Sequence, residues 1–186
     1  MGRCPDRLLQ GETSLIPKNS LDTQDPVKYR PITVASTIIR CYHKILAKRF
    51  EREFPIDPLQ RGFKTGDGVA INSFALDCAI FKSKTKYKNL NLCFVDVAKA
   101  FDSVSHDSIQ YACQNLDVPE HLINYISHFY RNSSTCLKFN SEKSRRIKVT
   151  RGIKQRDPLS VHLLNAVVNL ATSKLNDRFG FTIDNE

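Results

Sequence analysis

Long apolar runs are missing from this chain. No window approaches the roughly 20 consecutive apolar residues of a membrane-spanning helix, and the opening MGRCPDRLLQGETS has no apolar core of signal-peptide length. The start carries the Gly2 of an N-myristoylation signal, but that motif wants Ser or Thr at the sixth position, where Asp6 stands. Cysteine pairing is missing too. The six cysteines (Cys4, Cys41, Cys78, Cys93, Cys113, Cys136) include no C-x-x-C pair and no histidine at zinc spacing, so they are expected as reduced thiols. The expectation is an intracellular protein, of nucleus or cytoplasm, with no membrane partner. Internal repeats and low-complexity segments are also absent. Acidic residues are few: 19 Asp plus Glu stand against 28 Lys plus Arg, a formal net charge of +9. Such an excess favours polyanions, nucleic acid first. What remains is 186 residues, 41% hydrophobic and 25% charged, enough for one globular domain or part of a larger one.

Helices and strands interleave along the chain, which places it in the α+β or α/β class. TSLIPK (13–18) reads as a short strand and SLDTQDPVKYRP as a polar loop; from Thr33, Ile38, Tyr42, Ile45, Leu46 and Phe50 recur at helical spacing up to Pro55. A second helix carries Ala70, Phe74, Cys78 and Phe81 on one face and leaves through the basic KSKTKYKN. A strand is expected from about Leu90 to Val97. Ser105 caps a helix through about Asn115, and Pro119 opens another through about Tyr130. TCLKFNSEKSRRIKVT reads as a hairpin with a basic second arm, and a last helix is expected from Asp157-Pro158 to Gly180.

The stretch NLCFVDVAKAFDSVSHD (91–107) places Asp96 in what reads as a buried strand, with Leu92 and Phe94 on its face and Cys93, Val95 and Val97 on the other. An unpaired buried carboxylate costs several kcal/mol. Three readings answer that cost: a salt bridge, for instance to Lys99; a position at the open end of the strand; or a divalent metal ligand there. Spacing leaves all three open.

FVDVAKAFDSVSHD resembles the first catalytic motif of reverse transcriptases, specifically those of non-LTR (LINE-type) retrotransposons: an apolar pair, Asp, then Ala-Phe-Asp. SLIPK, YRPITVASTIIRCYHKILAKRF and QRGFKTGDG resemble the family's fingers segments in order, and VTRGIKQRDPLS its later palm motif. The resemblance implies an α+β right-hand polymerase, with residues 13–90 mainly fingers and 90–186 mainly palm. It implies an RNA template, a DNA primer and deoxynucleotides as partners, and two Mg²⁺ ions in the intact family. Asp96 would then be the catalytic metal carboxylate and the Val97 carbonyl a further ligand. Phe101 would lie beneath the incoming sugar and exclude a 2′-hydroxyl, while Lys18 and Arg30 would meet the triphosphate and Gln155 the nucleotide. Asp102 matches the pattern but suits a capping role. Bland alternatives are a core aromatic for Phe101 and solvated loop cations for Lys18 and Arg30.

Two departures stand against the family pattern. Where Gln-Gly-Asp-Pro-Leu-Ser is usual, the chain has Gln155-Arg156-Asp157-Pro158-Leu159-Ser160, followed by Val161 and His162; glycine permits close approach and positive φ, and Arg would bring a long charged side chain to the floor of the nucleotide site. The family's downstream aromatic-x-Asp-Asp hairpin is also absent, and Asp184 and Glu186 do not replace it by context. The expectation is therefore fingers and a partial palm, truncated before that hairpin and inactive in isolation. The alternative is a degenerate remnant that only binds nucleic acid, through Lys82, Lys84, Lys86 and Lys88 or through Arg145, Arg146, Lys148 and Arg151.

Overall fold

The structure is a computed structural model and describes residues 2–17, 28–87, 89–139, 142–175 and 181. A turn of 3₁₀ helix at Asp6–Leu8 leads into β1 (Gln10–Pro17); β2 (Tyr29–Ala35) runs antiparallel to it, pairing Gly11 with Ala35 and Ile16 with Arg30. On its other edge β1 takes β3 (Ser134–Phe139) in parallel, and β3 carries two short antiparallel strands, β4 (Glu142–Lys143) and β5 (Ile147–Lys148). The result is a mixed sheet in a mixed α/β fold. Thr13 sits at its centre with its hydroxyl 2.7 Å from those of both Thr33 and Thr135, so a short polar row crosses three strands without an unsatisfied group.

The helices are α1 (Thr37–Glu53), α2 (Gly68–Thr85), α3 (Ala100–Ser103), α4 (His106–Asn115), α5 (Glu120–Arg131) and α6 (Ser160–Thr172). α1 buries Ile39, His43, Leu46, Ala47 and Phe50, the stripe that 3.6-residue periodicity demands. α4 packs on α5 and α6, and α6 on α1. The core between them holds Ile109, Ile126, Phe129, Tyr130, Leu159 and Leu163, together with Ile39 and Phe50. As expected, Ser105 caps α4, its Oγ accepting the Ser108 N–H at 3.0 Å.

Three expectations shift. Residues 29–35, read as loop and helix start, form β2, because Ile32, Thr33 and Val34 are β-branched and β1 offers them a ladder; α1 waits until Thr37. The last helix starts at Ser160 rather than Asp157, whose carboxylate is drawn into the core; its expected stop at Gly180 lies outside the described residues. The largest change is at 90–97. Those residues carry no β ladder, and Asn91 to Lys99 are all exposed, Phe94 at 81% and Val95 at 82%. A strand needs a neighbour to accept its hydrogen bonds, and the described residues of the sheet pair elsewhere. α2 likewise has no buried residue and exposes Phe74 and Phe81.

This uncovered apolar surface has a measurable consequence. Phe94→Lys and Val95→Lys are each expected to change stability by no more than about 0.5 kcal/mol while reducing self-association. Urea unfolding and light scattering check this; a loss above about 1 kcal/mol would mean the segment is packed in solution.

Candidate active site

Two stretches far apart in sequence are tied together by backbone hydrogen bonds. The Ile153 N–H donates to the Phe101 carbonyl at 2.7 Å and the Gly152 N–H to the Val104 carbonyl at 2.8 Å. Backbone conformation and the tight approach together favour glycine here. Gly152 has φ +91°, and a Cβ there would stand 3.1 Å from the Phe101 oxygen and 3.2 Å from the Asp102 Cα. Further along, Gln155 Nε2 donates to Asp102 Oδ1 at 3.2 Å, so the loop of Gln155 is held against α3, which carries Phe101. The half-buried Phe101 ring meets Phe63 edge-on at 6.0 Å, and Asn165 Nδ2 on α6 donates to the Gly62 carbonyl at 2.6 Å. The QRGFK segment thereby joins the same wall.

Asp96 lies on the exposed 91–99 segment, before the left-handed Lys99 (φ 50°) that opens α3. No ion pair with Lys99 forms, and the Asp96 carboxylate has no partner among the described residues. The expected burial of Asp96 is corrected: solvent, not a counter-ion, meets its charge. Arg30 is exposed on β2, and Lys18 lies outside the described residues. Among the described residues no three of His, Cys, Asp or Glu gather to hold a metal. Asp96 with the Val97 carbonyl therefore offers part of one coordination shell, and these residues do not by themselves fit a pair of divalent ions.

The loop that carries Gln155 is anchored by residues the sequence reading did not single out. His43, fully buried on α1, places Nδ1 2.6 Å from Asp157 Oδ2 and Nε2 2.8 Å from the Tyr125 hydroxyl. The tautomer with the ring proton on Nδ1 donates to the carboxylate and accepts from the Tyr125 hydroxyl, so one imidazole joins both groups. Asp157 Oδ1 also accepts the Leu159 N–H at 3.0 Å. The negative charge is balanced nearby by Lys154, whose buried Nζ lies 4.2 Å from the Phe129 ring centroid and has no hydrogen-bond partner among the described residues. Burial pushes the Lys154 ammonium down to about 8, against the opposing pull of Asp157. A signal for His43 was present: it falls on the apolar stripe of α1, where a polar residue demands a partner.

Arg156 occupies the position of the expected glycine and has the backbone glycine would supply, with φ 69°. Its side chain is exposed. Around β4 and β5, Lys143 pairs with Glu12 and Arg146 with Gln10, while Arg145, Lys148 and Arg151 are exposed.

The family described as "Reverse transcriptase (RNA-dependent DNA polymerase)" matches residues 16–184. The chain is 41% identical over 185 residues to a "Retrovirus-related Pol polyprotein from type-1 retrotransposable element R2" of Nasonia vitripennis, covering 100% of this chain and 18% of that protein. A protein of the same name from Popillia japonica is 39% identical over 100% of this chain and 26% of its own length. The "Retrovirus-related Pol polyprotein from type-2 retrotransposable element R2DM" of Drosophila melanogaster is 33% identical over 99% of this chain and 17% of its own length. The chain thus spans about a quarter or less of these relatives.

Proposed function

This chain belongs to the reverse transcriptase family, and from that premise we propose that it forms the fingers (about 13–90) and part of the palm (about 90–186) of an RNA-directed DNA polymerase. In that reading it extends a DNA primer on an RNA template as part of a longer protein. The observation that carries it is the coupling of the 152–155 stretch to Phe101 and Asp102 through Ile153, Gly152 and Gln155. That coupling ties the Gln155 amide to Asp102, the residue after Phe101, five and six residues beyond the Asp96 carboxylate, which is unpaired among the described residues. Phe101 is the floor under the sugar, Gln155 faces the nucleotide, and Arg30 and Lys18 meet the triphosphate. Asp96 contributes one carboxylate, and Val97 one carbonyl, to Mg²⁺ ions whose remaining ligands lie outside this set. When bound, the ions stabilise the attacking and leaving oxygens of phosphoryl transfer.

The test is a chimera in which this chain, with Arg156→Gly, replaces the aligned segment of the Nasonia relative. Phe101→Val in that chimera is expected to raise ribonucleotide use relative to deoxynucleotide use at least about tenfold, the range that one steric contact commands. An unchanged ratio would return Phe101 to the core.

A second reading, a basic remnant that only binds nucleic acid, is favoured by the exposed Arg145, Lys148 and Arg151. It predicts affinity for an RNA–DNA duplex that falls about tenfold or more between 50 and 200 mM salt through counterion release. Affinity that is flat across that range would contradict a surface that tracks the phosphate backbone.

A further inference from the structure

Where β2 ends and α1 begins, a cavity of about 80 Å³ opens against the 154–157 loop, lined by Thr33, Ala35, Arg40, Lys154, Arg156 and Asp157 among others. Three of these are cations. The single anion, Asp157, is already engaged by His43 and the Leu159 N–H. Arg40 projects from the first turn of α1 and Arg156 from the left-handed loop position, and among the described residues neither guanidinium has a hydrogen-bond or ion-pair partner. Lys154 is the third cation, its buried Nζ without a hydrogen-bond acceptor among the described residues and its charge offset by Asp157. The N-cap Ser36 makes no side-chain hydrogen bond to α1, so the first N–H groups of that helix beside Ala35 also lack a side-chain acceptor. With Asp157 offsetting Lys154, the exposed guanidiniums of Arg40 and Arg156 are the two uncompensated like charges at this cavity, and an anion between them is favoured.

We propose that this cavity binds a phosphate group, gripped between the Arg40 and Arg156 guanidiniums, with Lys154 and the N-terminus of α1 adding to the field. Its size admits a group of two to three water volumes, at about 30 Å³ each, and the planar fork of arginine matches tetrahedral oxygens. The site is distinct from the triphosphate contact assigned to Arg30. Arg30 pairs with Ile16 and Ala35 with Gly11, so the two lie at opposite ends of β2, roughly 16 Å apart at about 3.3 Å per residue. It also rests on Arg156, which stands where the family pattern has glycine, and it requires no metal at Asp96. The phosphate belongs either to a nucleotide or to the backbone of a nucleic acid strand, whose chemistry at this point is the same.

Inorganic phosphate is the probe, titrated into the 186-residue chain at constant ionic strength and followed by amide chemical shifts of residues 35–40 and 154–157. Arg40→Gln and Arg156→Gly are each expected to weaken phosphate binding about tenfold or more, the scale of a lost hydrogen bond to a charged group. Arg156→Gly is also expected to unfold at a higher temperature than the parent, because glycine adopts the positive φ without cost. Lost binding in a more stable protein cannot then be ascribed to a damaged fold. Asp96→Asn is expected to bind phosphate as the parent does, which separates this site from the polymerase reading. Displacement of phosphate by a deoxynucleoside triphosphate assigns the site to a nucleotide, and displacement by an RNA–DNA duplex assigns it to the backbone. No phosphate binding by the parent, or undiminished binding in Arg156→Gly, would overturn the proposal.

Discussion

Asp157→Ala is expected to destabilise the chain by about 3–5 kcal/mol at pH 7, the range found when one partner leaves a buried charge network. Asp157 is 4% exposed and does three things at once: it accepts from His43, it accepts the Leu159 N–H, and it offsets Lys154. Alanine leaves His43 Nδ1 without an acceptor in a site closed by Phe129 and Tyr125, and leaves Lys154 buried with no counter-charge. The pH dependence separates these losses. The folded Lys154 value, about 8, lies below its ordinary 10.5, so the unfolded chain holds this proton more tightly, and stability from this group rises as pH climbs from about 8 toward 10.5. Removing Asp157 drives the folded value lower still, so the variant recovers earlier than the parent and its deficit shrinks as pH rises through 8. Urea unfolding followed by circular dichroism at pH 7 and pH 9.5 measures both effects. A loss below about 1 kcal/mol that does not vary with pH would mean that the network carries little of the fold.

The helical half of the fold was legible from periodicity and caps. α1, α4 and α5 show apolar stripes at helical spacing, and Ser105 sits where a cap must. The sheet was less so. β2 hides inside a stretch whose apolar residues continue in register into α1, and only its ladder to β1 shows which period wins. Residues 90–97 fail in the other direction: Leu92 to Val97 are apolar on both faces as a buried strand should be, yet a strand is a property of two segments, and among the described residues no second one is supplied. α2 is a helix by the cap of Asp67, whose Oδ1 accepts the Ala70 N–H at 2.9 Å, although nothing among the described residues buries its apolar face.

At the candidate site, motif residues were visible and their supports were not. Asp96, Phe101 and Gln155 stand out because they match a pattern. His43, Tyr125 and Lys154 match none, and their roles follow only from distances across 82 and 114 residues of sequence. Asp157 was visible as a carboxylate before Pro158 and was read as a helix cap; the competing pull was a buried imidazole on α1. Position 156 was legible in physical terms. A glycine site implies positive φ, and Arg156 indeed has φ 69°.

Asp96 is the residue on which the polymerase reading depends. In the chimera of this chain, carrying Arg156→Gly, with the remainder of the Nasonia relative, Asp96→Asn is expected to reduce primer extension on an RNA template by a factor on the order of 10³ or more. The substitution keeps size and shape and removes only the charge that a divalent ion needs from a carboxylate, so the loss falls on transition-state stabilisation. Asp96 is exposed and unpaired among the described residues, so its removal costs little of the fold, within about 0.5 kcal/mol, and primer–template affinity should match that of the unsubstituted chimera. The deciding measurement is extension rate at saturating primer–template and deoxynucleotide for the two proteins side by side. A loss of that size with equal duplex binding is the predicted result; equal rates of template-dependent extension with Asp and Asn at position 96 would contradict it.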